Sequence, residues 1–393
     1  MKRRNLIIYT YVEEWKRIFS DAAAWTSLFI ISILVALGYT YVYSLEVVQD
    51  APIAIVDECR SAESRQLIRM VDASEQVAVT HSVTDLNAAK ALFYSGKVHG
   101  IVVIPKDFTE KIYRKQRTSV SGYYDVAYFL YYKQVYRAVA SSIAYMNAGI
   151  ELKGLSARGL STHQAMNEMT AVKAQTVSLF NPNGGYASFA MPMVYLLIIQ
   201  TLLLTSIGLL GGTARERQAF LPDHSGLRSV WGIIGVVIGK ALCYVTVAYI
   251  YISMVLWVIM PAFGIAQRAN WIEVYTFLLP FFMSIAFLGL FLIRFFRHRE
   301  DAVMIISFSS IPFLILSGIS WPVESFPAPL RFIAEFVPSS SSIKGFISLT
   351  QGGASLPEVQ YLYLKEWGLA LLFFVLAVYF FRRIAKKEQS NPS

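Results

Sequence analysis

The sequence has little charge and almost no cysteine. Asp, Glu, Lys and Arg make up 16% of its 393 residues, against about a quarter in an average soluble domain. A globular protein in water needs more charged side chains than this to cover its surface, so the composition argues against a soluble protein. The two cysteines, Cys59 and Cys243, are too few for a disulfide framework or a cysteine-based zinc or iron–sulfur site.

Catalytic and ligand-binding motifs are also missing. The chain contains no GxxxxGK[ST] phosphate loop, no HExxH zinc motif and no GxSxG nucleophile elbow. Its five histidines are scattered, with no pair at metal-ligand spacing. We therefore expect no catalytic residue, no metal and no cofactor on this chain. The apolar segments contain almost no ionisable side chains, which argues against a carrier driven by protons or sodium ions.

Long apolar segments dominate the chain, and hydrophobic residues reach 55%. A helix that crosses a membrane needs about 20 apolar residues. The stretch from 230 to 260 is too long for one crossing, so we expect it to divide at Lys240 into an interfacial helix, 227–239, and a span. The last segment is short unless 361–364 extend it, with Lys365 and Glu366 reaching the membrane surface. The six predicted spans are 22–43, 189–212, 241–260, 274–293, 302–319 and 367–381.

The distribution of Lys and Arg predicts the orientation. The formal charge is +9, but its basic residues cluster at span ends, which favours membrane topology over nucleic-acid binding. The basic flanks 2–17, 215–228, 294–299 and 382–387 fall on one side, and cytosolic loops are the ones enriched in Lys and Arg. We therefore expect a multi-pass protein with both termini in the cytosol. The first span is longer than the apolar core of a signal peptide and is expected to remain uncleaved.

The segment 44–188 is then an extracytoplasmic domain, because long loops cross the membrane regardless of their charge. Its apolar runs alternate between strand and helix patterns, which is typical of a small α/β domain. Two longer helical stretches lead back to the membrane. The predicted elements are strands over 52–57, 77–80 and 98–104, and helices over 61–72, from 84 to 96, 127–152 and 162–178.

Three further patterns carry predictions. Residues 1–20 place apolar side chains at helical spacing with Glu14 and other charges turned away, which predicts a cytosolic interfacial helix. Prolines from Pro322 onward forbid a continuous helix and predict a broken, partly re-entrant outer hairpin over 320–360.

The number of tyrosines after Ser119 exceeds what the core of a small domain requires, and aromatic side chains are enriched at protein interfaces. We therefore take Tyr124, Tyr128 and Tyr132 as dimer contact candidates, although these rings could instead pack helices onto the sheet.

Several segments, in their order and spacing, resemble one family. The segment 53–57, IAIVD, precedes GKVHGIVVIPKDF at 96–108, and Arg215-Glu216-Arg217 follows the second span. Gly318, Pro322 and Pro327 then lie in a segment that follows Ser317, with Pro338 beyond it. Across nearly the whole chain this layout resembles the permease subunits of ABC type-2 exporters, in particular those with a large extracytoplasmic domain between the first two spans.

The resemblance implies a bundle of six transmembrane helices with an inserted extracytoplasmic α/β domain, in the bacterial plasma membrane. It implies efflux of an amphipathic, lipidic or drug-like substrate by two permease chains, identical or related. ATP and magnesium would be bound by a separate pair of ATPase subunits. Arg215, Glu216 and Arg217 would couple to these subunits through a cytosolic loop, 213–239, and Gly318, Pro322 and Pro327 would shape the outer hairpin. A periplasmic adaptor is a further conceivable partner.

The residues alone leave two other classes open. One is a membrane-anchored sensor or cell-surface interaction protein whose exported domain binds a ligand. The other is a polytopic membrane enzyme, which the missing catalytic clusters disfavour. Co-purification of an ATPase separates the exporter from both.

Overall fold

The computed structural model describes residues 3–169, 181, 184–217 and 229–390. Contacts divide the chain into two compact units. The helical unit comprises Met1–Ser44 and Ser178–Ser393, and the α/β unit comprises Leu45–Val177. In chain order the helices are α1 (Arg3–Ser20), α2 (Ala22–Val42), α3 (Ala62–Asp72), α4 (Leu86–Tyr94), α5 (Phe108–Tyr113), α6 (Phe129–Ser156), α7 (Thr162–Met169), α8 (Tyr186–Glu216), α9 (Val230–Ala262), α10 (Trp271–Phe295), α11 (Arg299–Leu316), α12 (Ala328–Ala334), α13 (Pro338–Thr350) and α14 (Gln360–Ser390).

Within the described residues, the α/β unit contains a four-stranded sheet, three strands of which the alternating pattern predicts. Its strands have the order β2-β1-β3-β4, in which β1 pairs in parallel with β2 and β3, and β4 is antiparallel to β3. The central strand β1 is buried on both faces because helices cover both sides of the sheet. Side chains of α6 pack on one face and Ala89 of α4 packs on the other. The strands are β1 (Ala51–Asp57), β2 (Val77–Val83), β3 (Gly100–Ile104) and β4 (Ser121–Tyr124).

Five helices of the helical unit are long and apolar enough to cross a membrane, within the residues that the structure describes. They are α2, α8, α9, α10 and α14, the last counted from Leu356. The predicted fifth span lies in α11, which has only 18 residues and begins with Arg299, Glu300 and Asp301. Because of these three charged residues, the full length of α11 is less apolar than the five helices named above. Length and composition therefore support five spans, and the sixth span stays a prediction.

The predicted division of the third span at Lys240 is wrong. Residues 230–262 form one helix of 33 residues, about 50 Å long. Lys240 is buried inside it and pairs with Glu14 of α1, so its charge interrupts the apolar pattern without interrupting the helix. Residues 213–216 and 230–239 of the predicted coupling loop are therefore helical. Residues 218–228 lie outside the described part of the chain.

The predicted position of Glu366 at the membrane surface is also wrong. Helix α14 begins at Gln360, so 361–364 do extend the last span. Glu366 is completely buried and accepts a hydrogen bond from Ser341 of α13. It can stay inside the bundle because hydroxyl groups of neighbouring helices provide polar partners for its carboxyl group.

The proline-rich segment forms short helices, as predicted. Gly318 follows the end of α11 with φ +83°, a left-handed conformation that commonly terminates a helix. A short 3₁₀ turn, Val323–Ser325, comes next and is flanked by Pro322. Pro327 immediately precedes α12, and Pro338 is the first residue of α13, where the missing N–H group costs no hydrogen bond.

Candidate coupling and transport sites

Three helix ends meet at one end of the helical unit. The Glu216 carboxylate, at the C-terminus of α8, accepts a hydrogen bond from the backbone N–H of Arg299 at 3.0 Å. The Arg299 guanidinium, at the start of α11, contacts both carboxylate oxygens of Asp21 at 3.1 and 3.2 Å. Asp21 in turn caps α2 by accepting hydrogen bonds from the N–H groups of Ala23 and Ala24. We call Asp21, Arg215, Glu216 and Arg299 the helix-end network.

Arg215 ties the end of α10 into this network. Its guanidinium donates hydrogen bonds to the backbone carbonyl of Phe296 at 2.6 Å and to that of Arg294 at 3.2 Å. Arg294 lies in the last turn of α10, and Phe296 lies in the connection to α11. One arginine of α8 therefore fixes the path of the chain between two other helices.

Glycines bring α8 into direct contact with the same turn. A Cβ atom built on Gly212 would lie 2.5 Å from the Cα atom of Arg299, and one on Gly208 would lie 2.5 Å from the Cβ atom of Ala302. Gly211 faces the Ile293 side chain in the same way. Small residues of this kind allow helices to approach closely, and the partners of these three glycines lie within this chain.

The predicted coupling residues thus have different surroundings. Arg215 and Glu216 belong to the network, whereas Arg217 is exposed and caps the end of α8. Their coupling to an ATPase stays a prediction. Sequence reasoning missed Asp21 and Arg299, although an aspartate directly before an apolar run is a recognisable helix N-cap signal.

A buried ion pair holds α1 against α9. Lys240 donates a hydrogen bond to Glu14, and both side chains are at least nine-tenths buried. Tyr244 donates to the other oxygen of Glu14 at 2.6 Å, and Arg17 approaches the carboxylate to 3.9 Å. The prediction that Glu14 turns away from the apolar face is wrong, because Lys240 offers it a counter-charge inside the bundle.

A groove lies at the opposite end of α2, α8 and α11. It encloses about 580 Å³, and the rings of Tyr43 and Tyr186 lie 4.9 Å apart beside it. Thr201, Ser310 and Ser320 are among the few polar residues of its lining. We call it the tyrosine-rimmed groove. Its apolar lining includes Val35, Phe189, Met191, Val194, Leu197, Ile198, Ile311 and Leu314.

The dimer contact candidates form an aromatic cluster on the α/β unit. The ring of Tyr124 lies 6.2 Å from Tyr132 and 5.9 Å from Tyr136, between β4 and α6. Tyr124 packs partly into the core of the unit, whereas Tyr128 is 59% exposed. The cluster thus contains both packed and exposed rings, and a dimer contact at this surface stays a prediction.

These features describe a membrane protein: a bundle of apolar helices with a groove at one end and a charged network that joins the same helices at the other. The model of the family described as ABC-2 family transporter protein matches residues 23–381. The chain therefore belongs to this family, whose members are transmembrane transport components that associate with an ABC ATPase and are not themselves catalytic. No curated protein gives a significant match to the chain.

Proposed function

We propose that this chain is the permease subunit of an ATP-driven exporter that moves an amphipathic, lipidic or drug-like molecule out across the bacterial plasma membrane. One observation carries the proposal. Helices α2, α8 and α11 line the tyrosine-rimmed groove at one end, and Asp21, Glu216 and Arg299 join the same three helices at the other. A movement imposed on the network can therefore reach the walls of the groove along these three helices.

The ATPase pair, which would bind ATP and magnesium, docks at the network and the adjoining loop. Arg215, Glu216 and Arg217 lie where a cytosolic partner would press on the end of α8. Because the backbone of Gly212 touches that of Arg299, a push on α8 also displaces α11.

The topology has six spans, with both termini in the cytosol and the α/β unit outside. Basic residues lie over 294–299, between the last turn of α10 and the first residue of α11, and over 382–387 near the end of α14. If both ends face the cytosol, the chain between them must cross the membrane twice. Helix α11 supplies the outward crossing, because its 18 residues extend roughly 27 Å, close to the thickness of the hydrocarbon core.

The lining of the groove supports the substrate class. Aliphatic and aromatic walls with a few hydroxyl groups suit a molecule with a large apolar part and a small polar part. One copy contributes one such wall, so a second copy or a related permease chain completes the pathway. The exposed rings of the aromatic cluster, such as Tyr128, are the surface at which the exported units pair, and a periplasmic adaptor could bind beyond them.

The decisive experiment reconstitutes the chain with its ATPase into vesicles and follows ATP-dependent movement of a fluorescent amphiphile. Val194→Trp, which fills the groove, should reduce the transport rate at least tenfold without preventing ATPase assembly. Leu371→Trp, on the exposed side of α14, is the matched control and should transport normally. An ATPase that neither co-purifies nor drives movement would overturn the proposal and favour the membrane-anchored sensor.

Cysteine labelling tests the topology in the same membranes. In a background without the two native cysteines, a membrane-impermeant maleimide applied from outside should modify a cysteine placed at Lys115 and spare one at Arg297. The reverse pattern would refute the orientation and, with it, the direction of transport.

A further inference from the structure

Glu366 is a carboxyl group buried among hydroxyl groups inside the helical unit. It is fully inaccessible, and Ser341 of α13 donates a hydrogen bond to its Oε1 at 2.5 Å. The hydroxyl of Ser284, on α10, lies 3.4 Å from Oε2. Ser342, also fully buried, faces the same carboxyl group. We call Glu366, Ser284, Ser341 and Ser342 the Glu366 cluster.

Four charged groups on the helices around this cluster have partners elsewhere. Lys365, the neighbour of Glu366 in sequence, pairs with Glu335, and Lys344 of α13 pairs with Glu324. On α9, Lys240 pairs with Glu14. On α10, Glu273 accepts a hydrogen bond from the backbone N–H of Leu356. Among the residues that the structure describes, Glu366 itself forms no ion pair, and an ionised carboxylate without a counter-charge is strongly disfavoured in such a place.

The polar partners of Glu366 are neutral hydroxyl groups. It accepts a short hydrogen bond from Ser341 and a longer one, 3.4 Å, from Ser284. The hydroxyl of Ser284 can instead donate to the carbonyl of Phe281 at 2.8 Å. The hydroxyl of Ser342 is also buried beside the carboxyl group. A protonated carboxyl group can both donate to and accept from such neutral hydroxyls, so they provide partners for Glu366 without a counter-charge.

The N-terminus of α13 is already occupied by another acceptor. The N–H group of Ser339 donates to Oε1 of Gln200, on α8, at 3.1 Å. The positive end of this helix therefore acts first on the Gln200 amide rather than on the Glu366 carboxyl. It does not replace the missing counter-charge.

We propose that Glu366 is a proton-binding site, which is occupied in the arrangement seen here and releases its proton when α13 separates from α14 during transport. The segments at both ends of α13, 335–337 and 351–355, are not helical, so this helix can move as a unit. Separation admits water to the carboxyl group, and a hydrated glutamate ionises at neutral pH. The transport part of the inference rests on the proposed export function.

Infrared spectroscopy of the full chain in lipid nanodiscs tests the proton site without relying on transport. At pH 7 the wild-type protein should show the carbonyl stretch of a protonated carboxylic acid, and Glu366→Gln should lose it. Glu335→Gln, which removes an ion-paired carboxylate near the same helix, is the matched control and should retain the band. Absence of the band from the wild-type protein would overturn the proposal.

Vesicles that contain the chain and its ATPase test the release of the proton. Glu366→Gln keeps the shape of the side chain but cannot release a proton, so ATP-dependent movement of the fluorescent amphiphile should fall at least tenfold and lose its pH dependence. Glu366→Asp should recover part of both.

Three outcomes distinguish a proton site from a structural carboxyl group, from a sodium site and from a failure of the proposed export function. Transport by Glu366→Gln at the wild-type rate and with the wild-type pH profile would show a purely structural carboxyl group and overturn the proposal. Loss of wild-type transport when choline replaces sodium would indicate a sodium site and would also overturn it. A wild-type protein that shows the band but moves no amphiphile would refute the export function and leave the proton site supported.

Discussion

Removing the charge of Glu14 alone should destabilise the helical unit much more than removing both charges of its ion pair with Lys240. The side chains of Glu14 and Lys240 are only 3% and 8% exposed. In Glu14→Gln the ammonium group of Lys240 stays buried without a counter-charge. In the double variant Glu14→Gln/Lys240→Met neither charge remains, and the glutamine still offers an acceptor to Tyr244.

The structure gives the size and the order of the effects. Glu14→Gln should cost about 3–5 kcal/mol, the usual consequence of breaking a buried ion pair. Lys240→Met should cost less, about 1.5–3 kcal/mol, because Glu14 keeps the Tyr244 hydroxyl at 2.6 Å and the Arg17 guanidinium at 3.9 Å. The double variant should lie within about 1 kcal/mol of the wild type, since well-packed uncharged replacements of buried pairs are commonly neutral.

Reversible unfolding of the reconstituted protein measures these free energies. The pair of Glu13 and Lys16 is the matched control, because it has the same charges at 3.5 Å with Lys16 at 71% exposure. Removing both control charges should change stability by less than about 1 kcal/mol. If the double variant at positions 14 and 240 costs as much as the two single variants together, the ion pair contributes no coupling energy. The reasoning from burial would then be refuted.

Three other predictions concern the network and the aromatic cluster. Gly212→Ala places a methyl group against the backbone of α11 and should lower the free energy of unfolding by about 1–3 kcal/mol. The control Gly38→Ala has no atom within 4 Å of the new methyl group and should leave the stability unchanged. Glu216→Lys should lower substrate-stimulated hydrolysis by the ATPase, and Glu300→Lys, an equal charge change at the same end, should not; equal effects would remove Glu216 from the coupling surface. Tyr128→Cys should cross-link between copies in membranes, and a purely monomeric pattern would place the dimer contact elsewhere.

The architecture could be predicted because it depends on local patterns. Apolar length predicts α2, α8 and α10, and alternating strand and helix patterns predict the α/β unit. The end of α11 and the breaks that follow it could be predicted from Gly318 and the prolines, since glycine and proline act on the backbone at their own position. Such signals need no knowledge of what the segment packs against.

The positions of buried ionisable side chains could not be predicted in this way. Lys240 and Glu366 appear in the sequence as interruptions of apolar segments, so the sequence analysis assigned them to a helix boundary and to the membrane surface. Their burial depends on Glu14 and Ser341, which are 226 and 25 residues away. The helix-end network could not be predicted for the same reason, because Asp21, Glu216 and Arg299 come together only when three helices pack against one another.

Charge is distributed unevenly among the packed helices, and this bears on which of them can move. Helices α2, α8 and α11 line the groove and contain no Asp, Glu, Lys, Arg or His over 22–42, 186–214 and 302–316. Helix α9 instead contains Lys240, which pairs with Glu14 of α1. A buried charge fixes register, because separating it from its partner is costly, whereas apolar and glycine contacts allow helices to slide. Helices α2, α8 and α11 can therefore shift together when the helix-end network moves. The ion pair between Glu14 and Lys240 meanwhile holds α1 and α9 in a fixed position relative to each other.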